Sequence, residues 1–145
     1  MLFLDSYFIK KTMDYFARQE YATQISTCES TLLKGLRQVT QTLPGASMIS
    51  SKLQGRTLAF FSRLIQPKSI LEIGTYTGYS TLCLAEGLGE NGVLHTIDQN
   101  FQTTVIAKKY AEKAGKSTSI QFYTGNALQI LPGIRGPFDL SLIHI

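Results

Sequence analysis

Two spacings of apolar residues alternate along this chain, one suited to helices and the other to buried strands. From about Asp5 to Arg18 and from about Ser30 to Gln41 apolar positions recur every three or four residues. This predicts two amphipathic helices, with Leu33, Leu36 and Val39 turned inward in the second. Pro44-Gly45 closes that stretch. Ser51-Lys52-Leu53-Gln54 has capping-box spacing, so a third helix is expected from there to about Ile65. Leu58, Phe61 and Ile65 form its apolar stripe, and Gln66-Pro67 stops it. The period then changes. Ser69 to Gly74 is short, apolar and β-branched, as expected of an interior parallel strand. A helix over about Tyr79 to Leu88 follows, then a strand from Val93 to Asp98 and a helix from about Gln102 to Ala114. A strand from about Ser119 to Thr124, a helical turn near Ala127 to Ile130 and the start of a fourth strand near Phe138 complete the chain. Such alternation with short links predicts an α/β fold, a parallel sheet with right-handed crossovers.

At 145 residues, 43% hydrophobic and 17% charged, the chain has the composition of one globular domain. No apolar run approaches the roughly 20 residues of a membrane helix. Met1-Leu2-Phe3-Leu4 is apolar, but Asp5 interrupts it and no basic region precedes it, so it does not read as a signal peptide. Cys28 and Cys83 lie far apart without metal-ligand spacing, which predicts reduced thiols and a cytoplasmic location. A net charge of +4 raises nucleic acid as a partner. Lys108, Lys109, Lys113 and Lys116 read instead as the solvated face of a helix that buries Ile106, Tyr110 and Ala114, so nucleic acid is not favoured.

The richest segment is Ile70-Leu71-Glu72-Ile73-Gly74-Thr75-Tyr76-Thr77-Gly78-Tyr79-Ser80. Gly74 allows a sharp turn at the strand's carboxyl end and Gly78 lets the next helix begin close by, where ligands of open α/β sheets bind. The helix start suits an anionic group. A dinucleotide fingerprint would read G-x-G-x-x-G; here three side chains separate the glycines, which suits a bulkier, less charged group than a pyrophosphate. Asp98 closes the second strand, where a carboxylate can accept both ribose hydroxyls. Together these features point to an adenosine ligand such as S-adenosyl-L-methionine.

Glu72-Ile73-Gly74-Thr75-Tyr76-Thr77-Gly78-Tyr79-Ser80 resembles motif I of the metal-dependent O-methyltransferases of the catechol and caffeoyl-CoA type, which use S-adenosyl-L-methionine. Met48-Ile49-Ser50 with Gln54-Gly55 is similar to the family's cofactor-covering segment, Gly125-Asn126-Ala127-Leu128 to its G-D-A-L, and Phe138-Asp139-Leu140 to the start of its fourth strand. The resemblance implies a Rossmann-like class I methyltransferase fold with helices on both faces, strand order 3-2-1-4 and N-terminal accessory helices. It implies methyl transfer to the hydroxyl of a small, catechol-like acceptor, and a homodimer. Carried over by position, Glu72 would accept a hydrogen bond near the methionyl end, and Gly74, Thr75, Tyr76, Gly78 and Ser80 would surround the methionyl group. Asp98 would hold the ribose and Gln99 would lie near the adenine. Asn126, in place of the usual acid, and Ala127 would border the adenine, while Met48 and Ser50 would close over the cofactor. Tyr76 or Tyr79 would offer a π face to the sulfonium.

Beyond Phe138-Asp139 the pattern diverges. The family continues to Asp-Ala-Asp-Lys, which supplies a Mg²⁺-type cation ligand and a basic residue; this chain reads Leu140-Ser141-Leu142-Ile143-His144-Ile145. His144 falls where the metal-binding aspartate should be, and one imidazole does not replace a set of oxygen ligands. The expectation is a single incomplete domain: a helical layer over 1–47, a cofactor-binding core over 48–140 and a tail, 141–145, outside the family pattern. No catalytic residue and no metal site are expected within it, the chain alone is expected to be inactive, and the fourth strand is expected to expose Leu140, Leu142 and Ile143 along a bare edge. Two other classes fit parts of the sequence: a nucleotide-binding oxidoreductase, and a non-catalytic or nucleic-acid-binding chain using the basic helix.

Overall fold

The computed structural model describes residues 3–144, with side chains from residue 14 onward. The apolar start at Met1 to Leu4 and the final Ile145 therefore lie outside the described side chains. Helix α1 (Phe3–Ile25) continues well past the end expected near Arg18. Helix α2 (Thr31–Gln41) starts at Ser30, whose hydroxyl accepts the Leu33 N–H, and α3 (Lys52–Ile65) starts at Ser51, whose hydroxyl accepts the Gln54 N–H at 3.1 Å. These caps satisfy helix-end donors that would otherwise lack partners. The remaining α-helices and strands are β1 (Ser69–Ile73), α4 (Tyr79–Ala85), β2 (Val93–Asp98), α5 (Phe101–Lys113), β3 (Ile120–Thr124), α6 (Ala127–Ile130) and β4 (Leu140–Ile143). All strand pairs are parallel, as the alternation predicts, and the order is β3-β2-β1-β4, as the family resemblance implies.

Register explains the core. Leu140, Ile70, Leu94 and Ile120 stand side by side across the four strands, and the last three are buried. With Leu33, Leu36, Leu82, Leu84, Tyr110 and Ala111 from the helices they form one apolar cluster. Two residues further along the same face, the row becomes Leu142, Glu72, Thr96 and Phe122. Because strand side chains alternate in direction, this polar pair lies on the core face at the carboxyl ends of the strands, directly beneath the turn after β1.

Three inward assignments differ from expectation. Val39 is 40% exposed, because α2 presents Leu33, Leu36 and Thr40 to the core. Phe61 and Ile65 are also exposed, while Gly55, Arg56, Ala59 and Ser62 are the buried positions of α3. The reason is a close crossing with α4: Ser62 donates its hydroxyl to the Leu84 carbonyl at 2.6 Å, and only small residues fit between the backbones. Phe60, Phe61, Leu64 and Ile65 thus form an apolar face without a partner among the described residues. On β4, Leu140 and Leu142 pack half-buried against the core cluster and Ile143 alone of the three apolar residues stands exposed; no strand pairs with the outer edge among the described residues. Lys108, Lys109 and Lys113 are exposed on α5, with Lys113 Nζ 4.9 Å from the Tyr110 ring centroid. No described helix is long and apolar enough to cross a membrane.

Candidate functional site

The carboxyl end of β1 continues into Gly74, whose φ of 101° turns the chain over the sheet edge. Tyr76 follows at φ 46°, an uncommon conformation for a non-glycine residue. Two contacts hold it. Its N–H donates to Asp98 Oδ2 at 2.6 Å, and its phenol donates to the Pro44 carbonyl at 3.0 Å. Gly78, at φ 86°, begins α4. A Cβ there would also stand 2.8 Å from the Ala107 Cβ, so this glycine permits contact with α5 rather than with the sheet.

Beneath the turn, Glu72 is fully buried and accepts hydrogen bonds from Ser80 Oγ at 2.6 Å, from Thr96 Oγ1 at 2.7 Å and from Thr81 Oγ1. Thr96 is itself 2.6 Å from Thr75 Oγ1, so a chain of hydroxyls joins the turn to the buried acid. A buried carboxylate is costly unless its oxygens are well supplied with donors, and three hydroxyls from two elements supply them here. His144 ends the row: its Nε2 lies 3.2 Å from Ser80 Oγ and 3.6 Å from Glu72 Oε1. Hydrogen bonding to Glu72 raises the His144 pKa against the opposing effect of burial.

Above the turn lies a cavity of about 650 Å³. That is within the range of roughly 300–1,000 Å³ found for small-molecule sites. Met48, Ser50, Gly74, Thr75, Tyr76, Ser80 and Asp98 of the expected set line it. A smaller recess adjoins it, sharing Gly74, Asp98 and His144, and carries Gln99 and Ala127. Glu72 and Gly78 lie behind the wall, and Asn126 turns its side chain to the Leu128 N–H at 2.9 Å, capping α6. The wall also holds Ile49, Thr77, Tyr79 and Asn100. The Tyr79 ring carries the Arg37 guanidinium 4.3 Å from its centroid, so one of its π faces is already taken.

Asp98 suits a diol. Its Oδ2 accepts the Tyr76 N–H and its Oδ1 accepts the Asn100 N–H at 2.8 Å. A carboxylate has about four acceptor positions, so each oxygen keeps one for a ligand hydroxyl. For a metal the donor set does not fit: no three His, Cys, Asp or Glu side chains converge among the described residues.

Comparison with known proteins converges on one family. The family model described as O-methyltransferase matches residues 23–143. The catechol O-methyltransferase of Niastella koreensis is 39% identical over 94 residues, covering 62% of this chain and 42% of its own length. The caffeoyl-CoA O-methyltransferase of Petroselinum crispum is 37% identical over 127 residues, covering 83% of this chain and 53% of its own. Among solved structures, an SAH-bound methyltransferase of Podospora anserina superposes with a TM-score of 0.83 at 28% identity, over 93% of this chain and 58% of that one. An O-methyltransferase of Streptomyces achromogenes in complex with SAM gives 0.80 at 30% identity, over 89% and 60%. The chain spans about half the length of the curated relatives it matches.

Proposed function

The chain belongs to the O-methyltransferase family, and from that premise we propose that its cavity holds S-adenosyl-L-methionine. The whole protein would then transfer the methyl group to a hydroxyl of a small, catechol-like acceptor. The observation that carries this reading is the convergence of the Gly74–Ser80 turn and Asp98, from the ends of two neighbouring strands, on one cavity. Asp98 accepts the ribose hydroxyls with its two remaining acceptor positions, and Gln99 and Ala127 border the adenine, while Asn126 holds the start of α6 beside it. Gly74, Thr75, Tyr76 and Ser80 surround the methionyl end, with Gly78 behind them starting the helix and Met48 and Ser50 as the cover. Glu72 acts from below, orienting the Ser80 hydroxyl. When bound, the cofactor supplies an electrophilic methyl group, and the protein's part is to hold donor and acceptor in line.

The acceptor class is supported by the printed names of the catechol and caffeoyl-CoA relatives. A divalent cation assisting the acceptor belongs to the reading of the whole protein, as do a cytoplasmic location, in keeping with two free cysteines, and a homodimer, in keeping with the exposed apolar face of α3. Calorimetric titration tests the cofactor: S-adenosylhomocysteine should bind this chain and NADH should not. Binding of NADH without binding of S-adenosylhomocysteine would replace this reading with the oxidoreductase one.

A further inference from the structure

Behind the cavity, Glu29 and Arg37, neither of which lines it, meet the wall residue Tyr79. Glu29, just before α2, is 8% exposed and accepts from Arg37 Nη2 at 2.8 Å and Nε at 3.2 Å. The same carboxylate oxygen accepts the Tyr79 hydroxyl. Arg37, on α2, has its guanidinium plane over the Tyr79 ring and donates its remaining nitrogen, Nη1, to the Ser50 carbonyl at 3.1 Å. One side chain therefore touches both opposing walls: Tyr79 at the base, next to the glycine turn, and Ser50 in the cover.

We propose that Arg37 is a positioning residue that clamps the 44–50 cover onto the Gly74–Ser80 turn and so sets the affinity of the cavity for its ligand. The cover has little regular structure, a single 3-10 turn over Ala46–Met48, so beyond the packing of Ile49 on the core its placement depends on polar tethers. One is the phenol of Tyr76 on the Pro44 carbonyl; the other is Arg37 on the Ser50 carbonyl. The geometry calls for a guanidinium. Its planar fork serves Glu29 from two nitrogens and still presents a third to Ser50, which the single nitrogen of a lysine cannot do. Lysine at this position would keep the ion pair with Glu29 and release the cover.

The inference rests on the reading of this cavity as the methyl-donor site, and two readouts keep the two separable. In titrations with S-adenosylhomocysteine, Arg37→Lys and Arg37→Ala should each weaken binding roughly tenfold or more, the loss expected for one charge-assisted tether. Arg56→Ala, which breaks a buried pair with Glu86 away from the cavity, should lower the melting temperature and leave that affinity unchanged. Affinities within twofold of the parent for both Arg37 variants would overturn the clamp. If the parent chain itself does not bind S-adenosylhomocysteine, the methyl-donor reading fails, and amide hydrogen exchange without ligand decides the clamp: faster exchange over residues 46–52 in Arg37→Lys supports it, and unchanged exchange overturns it.

Discussion

Asp98→Asn separates the structural task of this carboxylate from its proposed ligand task. In the folded chain the two oxygens accept the N–H groups of Tyr76 at 2.6 Å and Asn100 at 2.8 Å. Asparagine has the same shape but only one acceptor oxygen, and its amide would face the other N–H with a donor. The Tyr76 N–H is the more buried, so the oxygen should stay there and the Asn100 N–H, which is exposed, should turn to water. One charge-assisted bond becomes neutral and one is exchanged for solvent, at a cost of about 1–2 kcal/mol. In a chain of 145 residues that is a fall in melting temperature of roughly 3–6 °C. The ligand loses more. One ribose hydroxyl would lose its acceptor and meet an NH2 donor, and the other would bond a neutral oxygen in place of a charged one, so affinity for S-adenosylhomocysteine should fall by about 2–3 kcal/mol, or roughly 30–150-fold. Scanning fluorimetry without ligand and calorimetric titration with it measure the two effects. A melting temperature lowered as stated with affinity held within threefold would show that Asp98 only braces the turn, and the ribose assignment would be withdrawn.

Three further outcomes follow from packing and charge. Gly87→Ala would put a Cβ 2.1 Å from the Ser62 carbonyl carbon and 2.2 Å from the Arg63 nitrogen. These are backbone atoms that no rotamer change can move aside, so a loss of about 3 kcal/mol is expected in urea unfolding, and an unchanged midpoint would show that the helices do not cross so closely. Burial pushes the Cys83 thiol up to about 11, partly offset by Arg56, whereas Cys28 is exposed. A disulfide-exchange reagent should therefore label one thiol promptly and the second only on unfolding; prompt labelling of both would contradict that burial. Burial raises the Glu29 pKa, but hydrogen bonds from Tyr79 and Arg37 outweigh it and leave the group below its ordinary 4.5. A depressed carboxyl pKa stabilises the fold fully above the unfolded value and loses that stabilisation as pH falls through the folded value. Glu29→Gln should accordingly flatten the fall in melting temperature below pH 4.5, and an unaltered acid slope would argue against the pair.

What the sequence made legible is what local chemistry controls. Ser30 and Ser51 announce their helices through short-range caps, and β2 ends at Asp98 because an apolar run stops there. The order of strands was legible only through the family resemblance, whereas the meeting of the Gly74–Ser80 turn with Asp98 was readable from motifs that mark strand ends. The inward face of α3 was not. Its large apolar residues advertise one stripe, yet the helix buries Gly55, Ala59 and Ser62, with Arg56 drawn in by Glu86, because a backbone-close crossing rewards small side chains and no pattern of hydrophobicity reports how near the neighbour will come. Nor could spacing reveal that Glu72 faces hydroxyls rather than the cavity: that depends on the register of β1 against β2, which sets Thr96 beside it. Arg37 gave no signal at all, since its partners Glu29, Ser50 and Tyr79 come from three separate stretches of chain.

Register also explains why this end of the sheet can hold a fixed site. Along the core face the row Ile70, Leu94 and Ile120 is apolar, and the next row toward the carboxyl ends turns polar only at its centre, with Glu72 and Thr96 between Leu142 and Phe122. A charge placed there must be met by donors, and those available come from the first turn of α4 and from β2. Meeting that demand fixes where α4 begins relative to the sheet, and Thr75, bonded to Thr96, fixes the turn between them. Asp98 then fastens the Tyr76 N–H from the neighbouring strand. The two acids thus brace the same five-residue loop from below and from the side, so its backbone shape is set by the sheet before any ligand arrives. A loop prepared in this way gives up little conformational entropy on binding, which is where preorganised sites gain affinity.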